Sequence, residues 1–139
     1  MKNKITQFVP AMLAILAIAF RYFGLWCTKA GNLCYGTWLD RTFLEITNPL
    51  DSFARYLLVV TLILIFVPRS TFNSWLKFAA WVLPLAFIYI AMTPVWDSSW
   101  LPFVRDDAAL LAGQIFSGIS LLLILYKWIK FRKVSPYDK

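Results

Sequence analysis

Two cysteines, Cys27 and Cys34, are the first residues in this chain whose type and spacing could do chemistry. Six residues separate them, and Gly31 and Asn32 between them suit a tight turn. Redox-active pairs are usually spaced C-x-x-C, where strain and helix position lower the thiol pKa, and this pair lacks that spacing. We therefore predict a structural disulfide that closes the turn. A catalytic dithiol and two free thiols remain the alternatives.

Three acidic residues, Asp97, Asp106 and Asp107, form a second candidate site. Their carboxylates could bind a cation or a partner, although adjacent acids before a helix more often cap it. The chain contains no histidine, which excludes His-type zinc sites, histidine-ligated haem and Ser-His-Asp hydrolysis. We identify no catalytic residue and expect no metal and no cofactor.

The composition of the chain predicts a membrane protein. Of its 139 residues, 60% are apolar and only 15% are charged, and the mean hydropathy is +0.66. Four apolar runs have the length of membrane-spanning helices, so we predict a single all-α membrane domain, 1–139, folded as an antiparallel four-helix bundle. The predicted helices are about 5–26, 49–67, 74–93 and 107–130, the outer loops are 27–48 and 94–106, and a short interfacial helix lies at about 37–47.

Local residues predict where the second helix begins and where the third helix bends. Asn48 is a good N-cap and Pro49 suits the first helical position, so the second helix should begin there. Asp51 and Arg55 are one turn apart, and we predict that they pair at the membrane edge. Pro84 lies in the middle of the third run and should kink that helix.

The first run has a second interpretation. Lys2 and Lys4 make the segment before it basic, and residues 17–19 have the small-x-small pattern of a signal-peptide cleavage site. The apolar run nevertheless continues past that pattern to about Trp26, which is longer than a signal peptide needs. We therefore expect a retained helix, with cleavage as the alternative.

Charge is distributed unevenly between the two sides of the predicted bundle. Nine of the fourteen basic residues lie at the termini and near residue 70, whereas six of the seven acids lie in the other connections. The formal charges are +8 and −1, so the positive-inside rule predicts that both termini are cytoplasmic, N-in and C-in. We expect an integral protein of the bacterial inner (plasma) membrane. No basic domain large enough for nucleic acid is present, and we expect no nucleic-acid partner.

Few polar side chains lie inside the apolar runs, and none of them is ionisable near the expected centre of the bilayer. Pumps and coupled transporters usually keep an ionisable group there, so this pattern argues against proton coupling. Gln114 can form a hydrogen bond between helices, with a pore-lining role as the alternative. Four polar residues lie well inside these runs, and they are Thr61, Gln114, Ser117 and Ser120.

Small residues recur every four positions in the fourth helix, at Ala109, Gly113 and Ser117. Such a stripe lets helix backbones approach closely, so it predicts a packing face that Gln114 flanks. The facing helix could belong to this chain or to a second one.

These patterns favour a non-enzymatic integral membrane protein that acts as a small structural, assembly or accessory subunit. A small transporter or channel-like protein is the first alternative, and an extracytoplasmic thiol redox protein is the second. In gross plan the chain resembles the membrane thiol oxidoreductases that use quinone, but it lacks their C-x-x-C motif. We expect its partners to be the lipid bilayer and either other membrane subunits or a second copy of itself.

Overall fold

Four α-helices make up the fold in a computed structural model, which describes residues 2–95 and 104–134. No β-strand occurs in that part of the chain. Each helix is long and apolar enough to cross a membrane, so the all-helical prediction with four spans is confirmed at that level. The helices are α1 (Lys2–Cys27), α2 (Trp38–Phe66), α3 (Arg69–Met92) and α4 (Arg105–Val134).

The structure differs from the expected boundaries most clearly in α2. This helix begins at Trp38 and continues through Pro49, so the predicted interfacial helix 37–47 and the predicted span 49–67 form one helix of 29 residues. Proline inside a helix removes one backbone hydrogen bond, which is why the sequence favoured a helix start at this point.

Packing against α1 offsets that cost. A Cβ atom on Gly24 of α1 would lie 3.2 Å from the ring of Phe43 and 3.5 Å from Thr47. The rings of Phe20 and Phe23 also contact Phe43, with centroid distances of 5.3 and 6.2 Å. The N-terminal part of α2 therefore has tertiary contacts along α1, and these contacts favour a helix that continues α2 over a separate one lying on the membrane.

The connection between α2 and α3 is also shorter than expected. Pro68 precedes the first residue of α3, and its carbonyl accepts hydrogen bonds from the backbone amides of Thr71 and Phe72 at 3.0 and 3.1 Å. A proline at this position loses no helical hydrogen bond, so α3 begins at Arg69 instead of at about residue 74. Pro84 lies inside α3, which remains one helix.

Within the fold, α2 packs against α1 on one side and against α4 on the other, and α3 packs against α4. The α1 and α2 helices are antiparallel, because Gln7 near the start of α1 bonds to the Val67 carbonyl after α2. Aromatic rings join α2, α3 and α4 around the buried Phe116, whose ring centroid lies 5.9 Å from that of Phe53 and 6.3 Å from that of Trp75.

The ends of α3 and α4 are tied together by one side chain. The Arg105 guanidinium donates to the carbonyl oxygens of Thr93 at 3.1 Å and Ala91 at 3.2 Å. These carbonyls lie at the C-terminus of α3, where the last turn lacks helical donors. Arg105 therefore fixes the start of α4 against the end of α3.

Candidate functional site

A close helix contact lies between α2 and α4, at the small-residue stripe. A Cβ atom on Gly113 would lie 2.9 Å from the Tyr56 ring, closer than real Cβ contacts. The Ser117 hydroxyl bonds to the Tyr56 backbone, and Ala109 is fully buried on the same stripe. The stripe therefore lies against α2 of the same chain, and we call this contact between Tyr56 and the stripe of Ala109, Gly113 and Ser117 the α2–α4 seam.

Tyr56 organises the polar contacts of the seam. Its backbone carbonyl accepts a hydrogen bond from the Ser117 hydroxyl at 3.0 Å. Its phenol oxygen accepts one from Gln114 Nε2 at 3.2 Å. Sequence reasoning missed Tyr56, because its only local signal is one aromatic residue in an apolar helix.

The two other polar residues of the apolar runs also bond to neighbours. Trp75 Nε1 on α3 donates to the fully buried Ser120 hydroxyl on α4 at 3.1 Å. The Thr61 hydroxyl donates to the Leu58 carbonyl in its own helix at 2.9 Å. All four polar side chains therefore have a hydrogen-bond partner within the protein.

A charged cluster joins α1 to α2 and consists of Arg21, Asp51 and Arg55. One carboxylate oxygen of Asp51, Oδ2, lies 2.6 Å from Arg21 and 2.9 Å from Arg55. The Asp51 side chain is only 1% exposed, against 29% for Arg21 and 58% for Arg55. The pairing of Arg21 with Asp51 could not be read from the sequence, because the two residues are 30 positions apart.

The position of this cluster follows from the extension of α2. Because α2 begins at Trp38, Asp51 lies about 20 Å from that end of the helix at 1.5 Å per residue. The predicted pair of Asp51 and Arg55 thus forms in the middle of a helix and not in its first turn. The other carboxylate oxygen, Oδ1, is buried and has no hydrogen-bond partner among the described residues.

A lateral cleft opens beside the charged cluster, where α1, α2 and α4 meet. Its volume is about 360 Å³. One wall is charged and polar, and the other is apolar. The residues that line it are Arg21, Asp51, Ser52, Arg55, Tyr56, Val59 and Leu110.

The loop between α1 and α2 contains the disulfide. Cys27 and Cys34 are bonded, with their Cα atoms 5.1 Å apart, and they are 2% and 5% exposed. The Cys34 amide donates to the Cys27 carbonyl at 3.0 Å. Gly31 and Gly36 have φ angles of +86° and +71°, a region that favours glycine. This loop is therefore a compact turn with its sulfur atoms covered.

The acidic residues at the start of α4 serve the helix itself. The Asp107 carboxylate accepts a hydrogen bond from the Val104 amide at 3.4 Å, and Asp106 lies in the same first turn of α4. Asp97 lies outside the described residues. Within residues 2–95 and 104–134, no three His, Cys, Asp or Glu side chains are placed to hold a metal ion.

The structure thus brings most of the predicted residues into three places: the α2–α4 seam, the charged cluster with its cleft, and the disulfide loop. Asp106 and Asp107 lie instead in the first turn of α4. Comparisons with protein-family models, with curated proteins and with solved structures found no match to this chain. Its function is therefore inferred from the geometry of those three places.

Proposed function

We propose that this protein is a non-enzymatic integral membrane protein that acts as a small structural, assembly or accessory subunit. The observation that supports this most is the use of the polar side chains inside the apolar helices. Thr61, Gln114, Ser117 and Ser120 each bond to a neighbour within the protein. Groups used in this way stabilise a helix assembly.

The same contacts disfavour a channel, the first alternative. A polar path needs several side chains facing one continuous space. Ser120 is instead buried against Trp75, and Ser117 is buried against the Tyr56 backbone. Gln114, Ser117 and Ser120 therefore form contacts between helices, Thr61 bonds within α2, and these four groups do not form a lining.

The disulfide loop disfavours thiol redox chemistry, the second alternative. Thiol–disulfide exchange requires a thiolate to reach one sulfur atom. Cys27 and Cys34 are both buried, and the Asn32 side chain bonds to the Trp26 carbonyl within the turn. The loop is thus built as a rigid connection between α1 and α2.

For the membrane and orientation, we propose the bacterial inner membrane with both termini in the cytoplasm. The formal charges of +8 and −1 on the two sides support this. A reporter active only in the cytoplasm should work when fused at Lys139 or after Arg69, and should fail at Gly31 and Ser98. A working cytoplasmic reporter at Gly31 would invert the orientation.

The subunit role is tested by crosslinking and mass spectrometry in native membranes. A photocrosslinker is placed at Trp81, which is 79% exposed on α3, and at the buried Phe116 as a matched control. We expect one membrane protein to crosslink at position 81 only, to co-purify in gentle detergent, and to decrease in abundance when this chain is deleted. Conductance in planar bilayers that Gln114→Leu abolishes at unchanged stability would contradict the role and favour the channel-like alternative.

A further inference from the structure

We propose that the lateral cleft beside the charged cluster binds the phosphate group of a membrane phospholipid, with one acyl chain lying along α2 and α4. Arg21 and Arg55 would bind the phosphate, Asp51 would hold both guanidinium groups in place, and Val59 and Leu110 would contact the chain. Ionisable residues within membrane helices are costly and usually functional.

Both arginines keep donors free for an anion. A guanidinium has five N–H donors, and the contacts with Asp51 use one nitrogen of each. Arg55 is 58% exposed and Arg21 is 29% exposed, so their remaining donors can reach a group in the cleft. Arginine binds phosphate through parallel N–H···O contacts, which makes it the preferred side chain for this ligand.

Asp51 fixes the geometry of this pair. Its Oδ2 atom contacts both guanidinium groups and is almost fully buried. Two positive groups that share one buried carboxylate retain one net positive charge, and they are held side by side before any ligand binds. Such preorganisation lowers the entropy lost on binding.

Neutral donors complete the polar wall. Because the Tyr56 phenol oxygen accepts its hydrogen bond from Gln114, its own proton is available to donate. Ser52 lines the same cleft one residue after Asp51. A phosphate group has enough oxygen atoms to accept from these hydroxyls as well as from the arginines.

The apolar wall distinguishes a lipid from free phosphate. Val59 lies one helical turn beyond Arg55 and is 54% exposed, and Leu110 is 42% exposed on α4. Both line the cleft beside its charged residues. A ligand with a phosphate joined to a hydrocarbon chain can contact both the charged and the apolar lining of the cleft. Inorganic phosphate would contact only the charged and polar lining.

The test uses the full chain in detergent and native mass spectrometry. The probes are dioleoyl phosphatidic acid and dioleoylglycerol, which share acyl chains and differ in the phosphate. We expect retention of phosphatidic acid about tenfold above dioleoylglycerol and a loss of that preference in Arg55→Gln. Arg41→Gln removes an exposed arginine of the same helix, outside the cleft, and should leave the preference unchanged.

Thermal unfolding of each variant separates loss of binding from loss of folding. Arg55→Lys keeps the charge without the planar guanidinium, so its preference for phosphatidic acid should fall between those of wild type and Arg55→Gln. Equal retention of the two lipids by the folded wild-type protein would overturn the proposal. So would full displacement of phosphatidic acid by an equimolar amount of inorganic phosphate, which would identify a free-phosphate site. A crosslink from position 55 to an acidic residue of another protein, with no lipid retained, would overturn it in favour of a protein partner. None of these results depends on whether the chain is an accessory subunit.

Discussion

The contacts of α2 with α4 and with α1 depend on different interactions. Against α4 it makes a neutral seam, where Gly113 lets the Tyr56 ring approach so closely that a Cβ atom would overlap it. Against α1 the polar contact is ionic, where Arg21 reaches the buried Asp51. Because lipid offers no hydrophobic drive between helices, the first contact depends on close packing and the second on pairing a charge.

This difference explains what each contact tolerates. A contact between small residues is destabilised when a side chain is enlarged, because the two helix backbones and the Tyr56 ring leave no space for added atoms. An ion pair fails when one partner is removed, because a buried charge loses its solvation. Substitutions of opposite kinds should therefore damage the two sides of α2.

The largest effect is expected from Gly113→Leu, which adds a side chain against Tyr56. Overpacking a close contact costs about 3 kcal/mol, so thermal unfolding in detergent should shift to a clearly lower temperature. Gly118→Leu is the matched control, because a Cβ atom there meets nothing within 4 Å. Gln114→Leu should have a smaller effect, since it removes one hydrogen bond. Equal stability of the Gly113 and Gly118 variants would show that the seam is not tightly packed.

Removal of the disulfide should rank second. Replacing Cys27 and Cys34 by serine opens a loop whose ends are seven positions apart, and chain entropy predicts a loss of about 2.5 kcal/mol. The loss should be the same whether the bond is reduced or the residues are replaced. Alkylation of intact membranes before and after reduction reports the native state, and full labelling without reductant would contradict the disulfide.

The ionic contact between α1 and α2 should depend more on Arg21, the less exposed arginine, than on Arg55. Arg21→Met leaves Asp51 with one partner and should lower the free energy of unfolding by about 2 kcal/mol. Arg55→Met removes the more exposed partner and should cost less than about 1 kcal/mol. Chemical unfolding in mixed micelles compares the two variants. A larger loss from Arg55 would mean that Arg21 is not the main partner of Asp51.

An effect about as small as that of Arg55→Met is expected at the contact between α3 and α4. Ser120→Ala removes the acceptor of the Trp75 indole N–H, and hydrogen bonds between membrane helices are worth about 1 kcal/mol. The fluorescence of Trp75 should shift modestly as its indole loses a partner. An unchanged unfolding temperature in Ser120→Ala would show that this hydrogen bond does not help to hold α3 against α4.

The elements that the sequence predicted well are those with local, repeated signals. Four apolar runs gave four helices, since the length of a run follows from bilayer thickness. The stripe at Ala109, Gly113 and Ser117 pointed to a close contact because spacing by four places residues on one face. The tight turn expected at Gly31 is also present, and Gly31 has a positive φ angle there.

The remaining features depend on tertiary contacts that no local pattern contains. Pro49 and Asn48 gave a sound local reason to start a helix, yet packing of Phe43 against α1 extended α2 past it. Arg21 and Tyr56 act through partners on other helices, so neither stands out within its own segment. The cleft likewise exists only where three helices meet.

The pairing of α1 with α2 has a consequence for biogenesis. Its main contacts, Gln7 with Val67, Gly24 with Phe43 and Arg21 with Asp51, all lie within the first 67 residues. A helical hairpin of α1 and α2 can therefore pair Asp51 with Arg21 before α3 and α4 emerge from the ribosome. The α2–α4 seam can form only after α4 has been synthesised, so α4 should pack onto an α1–α2 pair that has already formed.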